Sequence, residues 1–345
     1  MWEFQIDEKL YIHLFEQGNK AEIVRASNVS NNRVIDKASS EFAKPIKSKK
    51  KVTIMVALLI GLGIPVGLII GYNFLNNKIL KQSEIEKLTS IPILANIPHS
   101  EDENIFNIID DPKSGLSNSF RSIRTNIQYL ASQKEKKSLL VTSNSTGEGK
   151  TFIGCNLAII MAMSNKKTII IDLDFRRPKV HKNFKQPNTT GMTNFLIGKV
   201  NYDEIIYKPQ VDNLDVIFAG PIPPNPSELL LLDKFHEFLK KMQSLYDVVL
   251  LDTPPVGIIN DAFELMSYVD IIFYVVRYNH TKTDSFTVIN SIVEKGKFSN
   301  LHILFNDIDI RSSYGYKYGY GYKYYDNNNE KKKINIFKKM KRKNV

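Results

Sequence analysis

The sequence is 345 residues long and carries a formal net charge of +11, with one cysteine and six histidines. A single cysteine excludes an intrachain disulfide framework, and histidines with no pair at metal-ligand spacing argue against a zinc site. The basic excess sits in blocks, at Lys47–Lys51 and Lys331–Lys343, a placement that favours an acidic membrane surface over a nucleic-acid groove, so no nucleic-acid partner is expected.

Residues 3–26 carry apolar side chains at helical spacing, among them Leu10, Leu14, Ile23 and Val24, and are expected to form the end of a helical stalk. Residues 27–51 are polar and loop-like. Val52 to Gly71 is almost purely apolar and uncharged, enough to cross a hydrocarbon core that needs about 20 residues, and reads as a transmembrane helix. Its distance from residue 1 argues against a signal peptide. Gly61, Gly63, Gly67 and Gly71 permit close helix contact, although glycine is common in spans anyway, and Pro65 is placed to kink the helix. Two signals for orientation disagree. Lys47, Lys49, Lys50 and Lys51 precede the span while only Lys78 and Lys81 follow closely, so the positive-inside rule puts the N-terminal side in the cytoplasm. A nucleotide site downstream needs cytosolic substrate, which puts residues 1–51 outside the cell membrane. The second consideration carries more weight, and a further span upstream would reconcile the two.

After the span, 82–87 reads as a short helix, 91–98 as an extended piece and 104–117 as a linker marked by Asp110, Asp111, Pro112 and Gly115. A helix over 118–132 leads to a strand at Ser138–Val141. Then comes Thr142–Thr151, Thr-Ser-Asn-Ser-Thr-Gly-Glu-Gly-Lys-Thr, which opens an apolar helix containing the core residue Cys155. Strand, glycine-bearing loop and helix make a phosphate cradle. Its nucleotide-binding stretch is Thr146, Gly147, Glu148, Gly149, Lys150, Thr151 and Phe152. The glycines let backbone N–H groups approach a polyphosphate, Lys150 reaches its terminal groups, and Thr151 offers a hydroxyl to Mg²⁺. Asn144 stands where the common pattern has its first glycine.

Two later apolar runs end in carboxylates: one from Lys167 to Asp172 and Asp174, the other from Val248 to Asp252. Such runs suit strands buried on both faces of a parallel sheet, whose carboxyl ends form a ligand crevice. One Asp after a strand is usually a turn or cap residue. The ordered set of loop, Asp-x-Asp and Asp points instead to nucleotide binding. Further strands are expected at 214–218, 271–276 and 301–306, with helices near 227–245, 260–268 and 283–296 between them. The fold class is therefore α/β, a P-loop NTPase with a mostly parallel sheet flanked by helices, preceded by a transmembrane helix and a short helical stalk remnant. Near the end, Tyr314, Tyr316, Tyr318, Tyr320, Tyr322, Tyr324 and Tyr325 are interleaved with Gly315, Gly319 and Gly321. The glycines and Asn327–Asn329 argue against ordered structure there. Phenols beside a phosphoryl-transfer site are potential acceptors, and each phosphate would bring nearly two negative charges into a lysine-rich tail.

Taken in order, the span, the variant phosphate loop, Ile-Ile-Ile-Asp-Leu-Asp-Phe-Arg-Arg-Pro, Val-Val-Leu-Leu-Asp-Thr-Pro-Pro and the tyrosine cluster resemble the bacterial tyrosine kinases of exopolysaccharide and capsule export. The form resembled is the one fused to a membrane chain-length-determinant region. Ala219–Leu230 and Asn32–Asp36 are similar to family segments too. The resemblance implies ATP and Mg²⁺ as cofactors and a catalytic set of Lys150, Asp172, Asp174 and Asp252. Lys150 would hold the β- and γ-phosphates, while Thr151 and Asp252 would bind Mg²⁺ directly or through water. Asp172 would help hold the metal and Asp174 would assist deprotonation of the incoming tyrosine, the base between these two being left open. It further implies that the acceptor is a tail tyrosine of an adjacent subunit in a ring-like homo-oligomer, contacted through Arg121 and Arg124. A cognate tyrosine phosphatase and polysaccharide polymerase or export proteins would be partners, and the kinase domain would face the cytoplasm from the bacterial inner (plasma) membrane.

The implied organisation is a stalk remnant over 1–51, the transmembrane helix over 52–72, a juxtamembrane linker over 73–117, the kinase domain over 118–310 and a flexible tail over 311–345. Three departures from the family pattern stand out. Asn118 holds the glutamate position of a Glu-x-x-Arg-x-x-Arg helix, and Thr146 stands where proline is frequent. The N-terminal part is too short for a complete chain-length domain and reads as truncated. A partition-type ATPase of the same fold would carry a second lysine five residues before Lys150, where Ser145 stands. A non-enzymatic length-control scaffold leaves the aligned catalytic groups unexplained.

Overall fold

The computed structural model describes residues 2–27, 50–101, 104–130, 134–257, 265–294, 298 and 300–309. The tail tyrosines, Asn32–Asp36 and most of the helix expected over 260–268 lie outside the described residues. The chain divides into two compact units, Met1–Tyr72 and Asn73–Val345.

The first unit contains the helix Trp2–Ser27 and most of the helix Lys50–Leu75. Within the latter, 19 residues from Lys50 to Leu68 are long and apolar enough to cross a membrane by length and composition. Leu58, Leu59, Leu62, Ile64 and Leu68 are all exposed. A helix that is apolar all round and that no other described residue covers suits lipid as its solvent. Pro65 lies inside this helix.

The second unit is built on an eight-stranded sheet. Its strands are β1 (Ile93–Pro98), β2 (Lys137–Ser143), β3 (Thr168–Asp172), β4 (Ile206–Tyr207), β5 (Leu214–Ile217), β6 (Val248–Asp252), β7 (Ile271–Arg277) and β8 (Leu301–Ile308). They run in the order β1-β8-β7-β2-β6-β3-β5-β4, and every pairing is parallel except the edge pair β4–β5. The apolar runs of the sequence are strands because both faces of this sheet are covered. Leu139 and Val141 of β2 enter one core and Leu140 the other, and Leu250 and Leu251 of β6 divide in the same way. The helices Gly115–Leu130, through Phe120, Ile123 and Ile127, and Lys150–Ala162 cover one face. Asp233–Leu245, through Phe235, Phe238 and Met242, and Ser285–Glu294, through Phe286 and Ile289, cover the other.

This arrangement fixes where a ligand can sit. The chain leaves β2 for a helix on one face and leaves its neighbour β7 for a helix on the opposite face. Between two such strands the connections diverge, and a crevice opens at their carboxyl ends. Residues 142–149 occupy that place.

The short helix and the extended piece expected after the span are the helix Gln82–Leu88 and the strand β1, and β1 joins the sheet as an edge strand paired with β8. Asn126 Nδ2 also donates to the Leu94 carbonyl at 3.2 Å, tying β1 to the helix above it. The helix expected over 227–245 is two helices, Pro226–Leu230 and Asp233–Leu245. Leu232 lies between them in an extended conformation, which interrupts the hydrogen-bond ladder.

Close helix–sheet packing at Gly154 generates a stability prediction. A Cβ there would lie 3.3 Å from Leu250 Cδ2 and 3.6 Å from Ile170 Cδ1. Gly154→Val is expected to cost about 1–3 kcal/mol by overpacking, read as a lowered midpoint in urea unfolding; an unchanged midpoint contradicts this packing.

Candidate active site

Local sequence explains the shape of the phosphate loop. Gly147 and Gly149 adopt φ of +86° and +97°, the left-handed region that favours glycine. At Gly149 a side chain is also excluded by space, since a Cβ would lie 2.2 Å from Asn306 Nδ2. Asn144 is not among the residues with positive φ, so the position where the common pattern has glycine makes no demand for it. Its Nδ2 donates instead to Ser285 Oγ at 2.9 Å. Gly149 caps the helix Lys150–Ala162, whose first intrahelical bond runs from Ile153 N to the Gly149 carbonyl at 2.9 Å. The N–H groups of Lys150, Thr151 and Phe152 have no intrahelical partner and, with the positive end of the helix dipole, form a seat for an anion.

The carboxyl ends of β3 and β6 bring the acidic groups to the same seat. Asp172 and Asp252 are register partners across the β3–β6 pair, and both are fully buried. Thr151 Oγ1 donates to Asp252 Oδ2 at 2.7 Å. Asp252 Oδ1 is buried and lacks a hydrogen-bond partner. An orphaned carboxylate oxygen beside a threonine hydroxyl, at the mouth of an anion seat, is the donor set that Mg²⁺ takes up together with phosphate oxygens and water. Among the described residues no cluster of three His, Cys, Asp or Glu side chains forms a closed metal cage. Asp172 accepts two backbone N–H groups, from Asp174 at 3.1 Å and Val180 at 3.2 Å. Asp174 is only partly buried and accepts the Arg177 N–H at 3.0 Å.

Burial dominates the electrostatics. Desolvation pushes the Lys150 ammonium below its ordinary range, opposed by the nearby charges of Asp252, Asp174 and Glu148. Desolvation, then the charges of Asp252 and Asp174, hold the Asp172 carboxyl well above the carboxylate range. The Asp252 carboxyl is pushed up to about 7 by desolvation, against the pull of Lys150 and the Thr151 hydrogen bond. The site therefore gathers Lys150, Thr151, Asp172 and Asp252 into one desolvated field, with the charge of the partly buried Asp174 acting on it.

Not every residue of the expected set turns its side chain inward. The Phe152 ring packs edge-on against Phe120, 6.4 Å between centroids. Thr146 contributes its carbonyl to His280 Nε2 at 3.1 Å. Arg121 and Arg124 lie together on the helix Gly115–Leu130; Arg121 binds the Pro112 carbonyl and approaches Asn118 Oδ1 at 3.5 Å within its own chain.

Sequence reasoning missed the residues that hold the loop from behind. Arg277 Nη1 donates to the Gly147 carbonyl at 2.7 Å while its Nε binds Asp307 Oδ2 at 2.8 Å. Asp307, at φ +64°, also binds His99 Nδ1 at 2.5 Å. Asn306 Nδ2 donates to the Glu148 carbonyl at 3.0 Å, and Thr281 Oγ1 to Glu148 Oε1 at 2.5 Å. The turn that carries Thr281 is strapped in turn by residues 77–80: Ile79 N donates to the Thr281 carbonyl, and Asn279 N to the Ile79 carbonyl, each at 2.8 Å. The available signal was only positional, a polar residue at or just past the end of a strand.

A phosphate loop at the switch point of a parallel sheet, faced by carboxylates from two neighbouring strands, defines a P-loop NTPase fold. A family model described as "AAA domain" matches residues 136–278, and one described as "G-rich domain on putative tyrosine kinase" matches residues 1–74. The chain is 42% identical over 153 residues to the "Putative tyrosine-protein kinase CapB" of Staphylococcus aureus, covering 44% of this chain and 67% of that one. It is 32% identical over 326 residues to the tyrosine-protein kinase ptk of Acinetobacter johnsonii, covering 91% of this chain and 44% of that one. The solved kinase domain of Escherichia coli tyrosine kinase ETK superposes with a TM-score of 0.63 at 28% identity, covering 70% of this chain and all of the other. The chain belongs to the bacterial tyrosine-protein kinase family. It spans less than half the length of the Acinetobacter relative and of a Klebsiella pneumoniae relative, 44% and 39% respectively.

The raised Asp252 carboxyl makes a signed prediction. A folded pKa near 7, above the ordinary 3.8, means that the fold holds a proton the unfolded chain has released. Stability then falls as pH rises between those two values. In the ligand-free protein, the unfolding midpoint of the wild type is expected to drop relative to that of Asp252→Asn as pH approaches about 7. Parallel pH profiles for the two proteins would remove the assignment.

Proposed function

We propose that this chain is an ATP-dependent protein-tyrosine autokinase, which transfers phosphate to the C-terminal tyrosine cluster of a neighbouring copy. Through that cycle it regulates exopolysaccharide or capsule polymerisation and export at the bacterial inner membrane. The observation that carries this reading is the burial of Lys150 in the field of Asp252 and Asp174, beside the Thr151–Asp252 hydrogen bond. Family membership supplies the acceptor chemistry, because the chain's relatives are named tyrosine-protein kinases.

In this mechanism the helix N-terminus and the N–H groups of the glycine loop bind the polyphosphate, and Lys150 neutralises charge on its outer phosphates. Mg²⁺, when bound, supplies further charge neutralisation on the phosphates; Thr151 and Asp252 would hold it, with Asp172 behind them. Asp174 is the better placed base. Asp172 is fully buried with both oxygens engaged by backbone N–H groups, whereas Asp174 is only partly buried. Asp174 takes the phenolic proton as the tyrosine oxygen bonds to the γ-phosphorus and the bond from that phosphorus to the bridging oxygen breaks. Most of the rate comes from holding these groups in line, with little covalent chemistry asked of the protein.

The remaining assignments follow from the same reading. Residues 73–310 would be the catalytic body, with 52–72 as its anchor and 311–345 as its substrate. Arg121 and Arg124 would face the neighbouring subunit, and a tyrosine phosphatase together with polymer-assembly proteins would complete the cycle.

The 345-residue chain in lipid nanodiscs, given ATP and Mg²⁺, is expected to accumulate phosphotyrosine in residues 314–325. Lys150→Met should reduce this to background. Asp174→Asn should slow it by roughly 10²–10⁴-fold, the range typical of a lost general base, while nucleotide binding persists. Phosphate release without phosphotyrosine would replace the kinase by an ATPase. Changing all seven tail tyrosines to Phe should abolish labelling while nucleotide binding persists; wild-type labelling in that variant, mapped by mass spectrometry to Tyr202 or Tyr207, would overturn the acceptor.

A further inference from the structure

Glu148 lies in the middle of the phosphate loop, yet its side chain points away from the anion seat and is fully buried. A carboxylate beneath a site for a polyphosphate works against ligand charge unless it serves the protein in another way. Both of its oxygens are committed: Oε2 accepts the Ser145 N–H at 2.8 Å and Oε1 accepts the Thr281 hydroxyl at 2.5 Å. Its backbone carbonyl accepts Asn306 Nδ2 at 3.0 Å. Glu148 thus ties the first half of the loop, through Ser145, to the turn after β7, through Thr281, and to the end of β8, through Asn306. It is also one of the anions that act on Lys150 from inside the loop.

We propose that Glu148 and Thr281 form a buried brace that holds the phosphate loop in its nucleotide-receiving shape before any ligand arrives. The proposal rests on the nucleotide-site reading given above and adds a positioning pair to it. The brace turns the Ser145 N–H inward, away from the ligand, and fixes Glu148 between two glycines whose conformations would otherwise be free to vary. A loop fixed in advance loses less conformational entropy when it closes on phosphates, which strengthens binding without adding a contact. The pair also makes a directional demand. Thr281 must donate and Glu148 must accept at both oxygens, so a glutamine at 148 can satisfy only one of its two donors, and a valine at 281 leaves a buried carboxylate oxygen unpaired.

The test measures equilibrium binding of a fluorescent ADP analogue with Mg²⁺ to the 345-residue chain in nanodiscs, so that it is independent of phosphoryl transfer. Glu148→Gln and Thr281→Val are each expected to raise Kd roughly ten- to hundredfold, the scale of a lost charge-assisted hydrogen bond. Thr281→Ser, which keeps the hydroxyl, should restore binding to within about threefold of wild type. Thr281 Oγ1 also accepts the Arg277 N–H at 2.8 Å, a bond that Thr281→Val loses and Glu148→Gln keeps, so the double variant should bind about as Thr281→Val does and fall well short of the two losses summed. Wild-type affinity in Thr281→Val, additive losses in the double variant, or failure of Thr281→Ser to recover would each overturn the brace. Lys150→Met serves as the separating control. If it binds the analogue as well as wild type does, the nucleotide site itself is misassigned; if it loses binding while Glu148→Gln and Thr281→Val keep theirs, only the brace fails.

Discussion

Lys150 is 7% exposed, and its ammonium is desolvated among carboxylates that are themselves desolvated. Ions taken out of water are costly unless they compensate one another, and the compensation is incomplete here. The ammonium is driven toward neutrality, Asp172 and Asp252 toward protonation, and one Asp252 oxygen has no partner. A field left unbalanced in this way suits groups that bring both signs at once, as anionic phosphates and a divalent cation would. The rest of the sheet serves to keep these groups within reach of one another and away from water.

The parallel order of the strands achieves this because register is inherited along the sheet. Val141 of β2 pairs with Asp252 of β6, and Asp252 pairs with Asp172 of β3, so the ends of three adjacent strands fall in one row. The loop after β2 then has to turn back over that row. It does so with two glycines in left-handed conformations on one side and with Arg277, Thr281 and Asn306 holding its carbonyls and its one buried carboxylate on the other. These supports come from the ends of β7 and β8 and the turn between β7 and its helix. The loop therefore sits between a row of acids at its front and a set of donors at its back.

The segment after the apolar helix takes part in this support. Residues 77–80 pair with the turn that carries Thr281, and β1 adds an edge strand whose following residue, His99, reaches Asp307 beside Arg277. The short helix near 82–87 and the extended piece near 91–98 were legible, but the place of β1 at the edge of the sheet was not, because a six-residue strand and a seven-residue helix carry little periodicity of their own. Strand pairing with β8 gives them their order.

Much of the centre of the protein was legible in the amino-acid sequence by itself. The apolar β-branched runs ending in Asp172 and Asp252, the loop with Gly147, Gly149, Lys150 and Thr151, and the uncharged helix after residue 51 are local patterns, because burial on two faces, left-handed turns and lipid solvation each select residue types over a few consecutive positions. Only the tertiary structure decided that Arg277, His280, Thr281 and Asn306 stand behind the loop, that Glu148 faces inward while its neighbours face the seat, and that Asp174 is only partly buried where Asp172 is fully buried. Those outcomes depend on which strands lie side by side. Strand order is set by the packing of helices on both faces of the sheet, a cooperative property of the whole unit that no short stretch of sequence encodes.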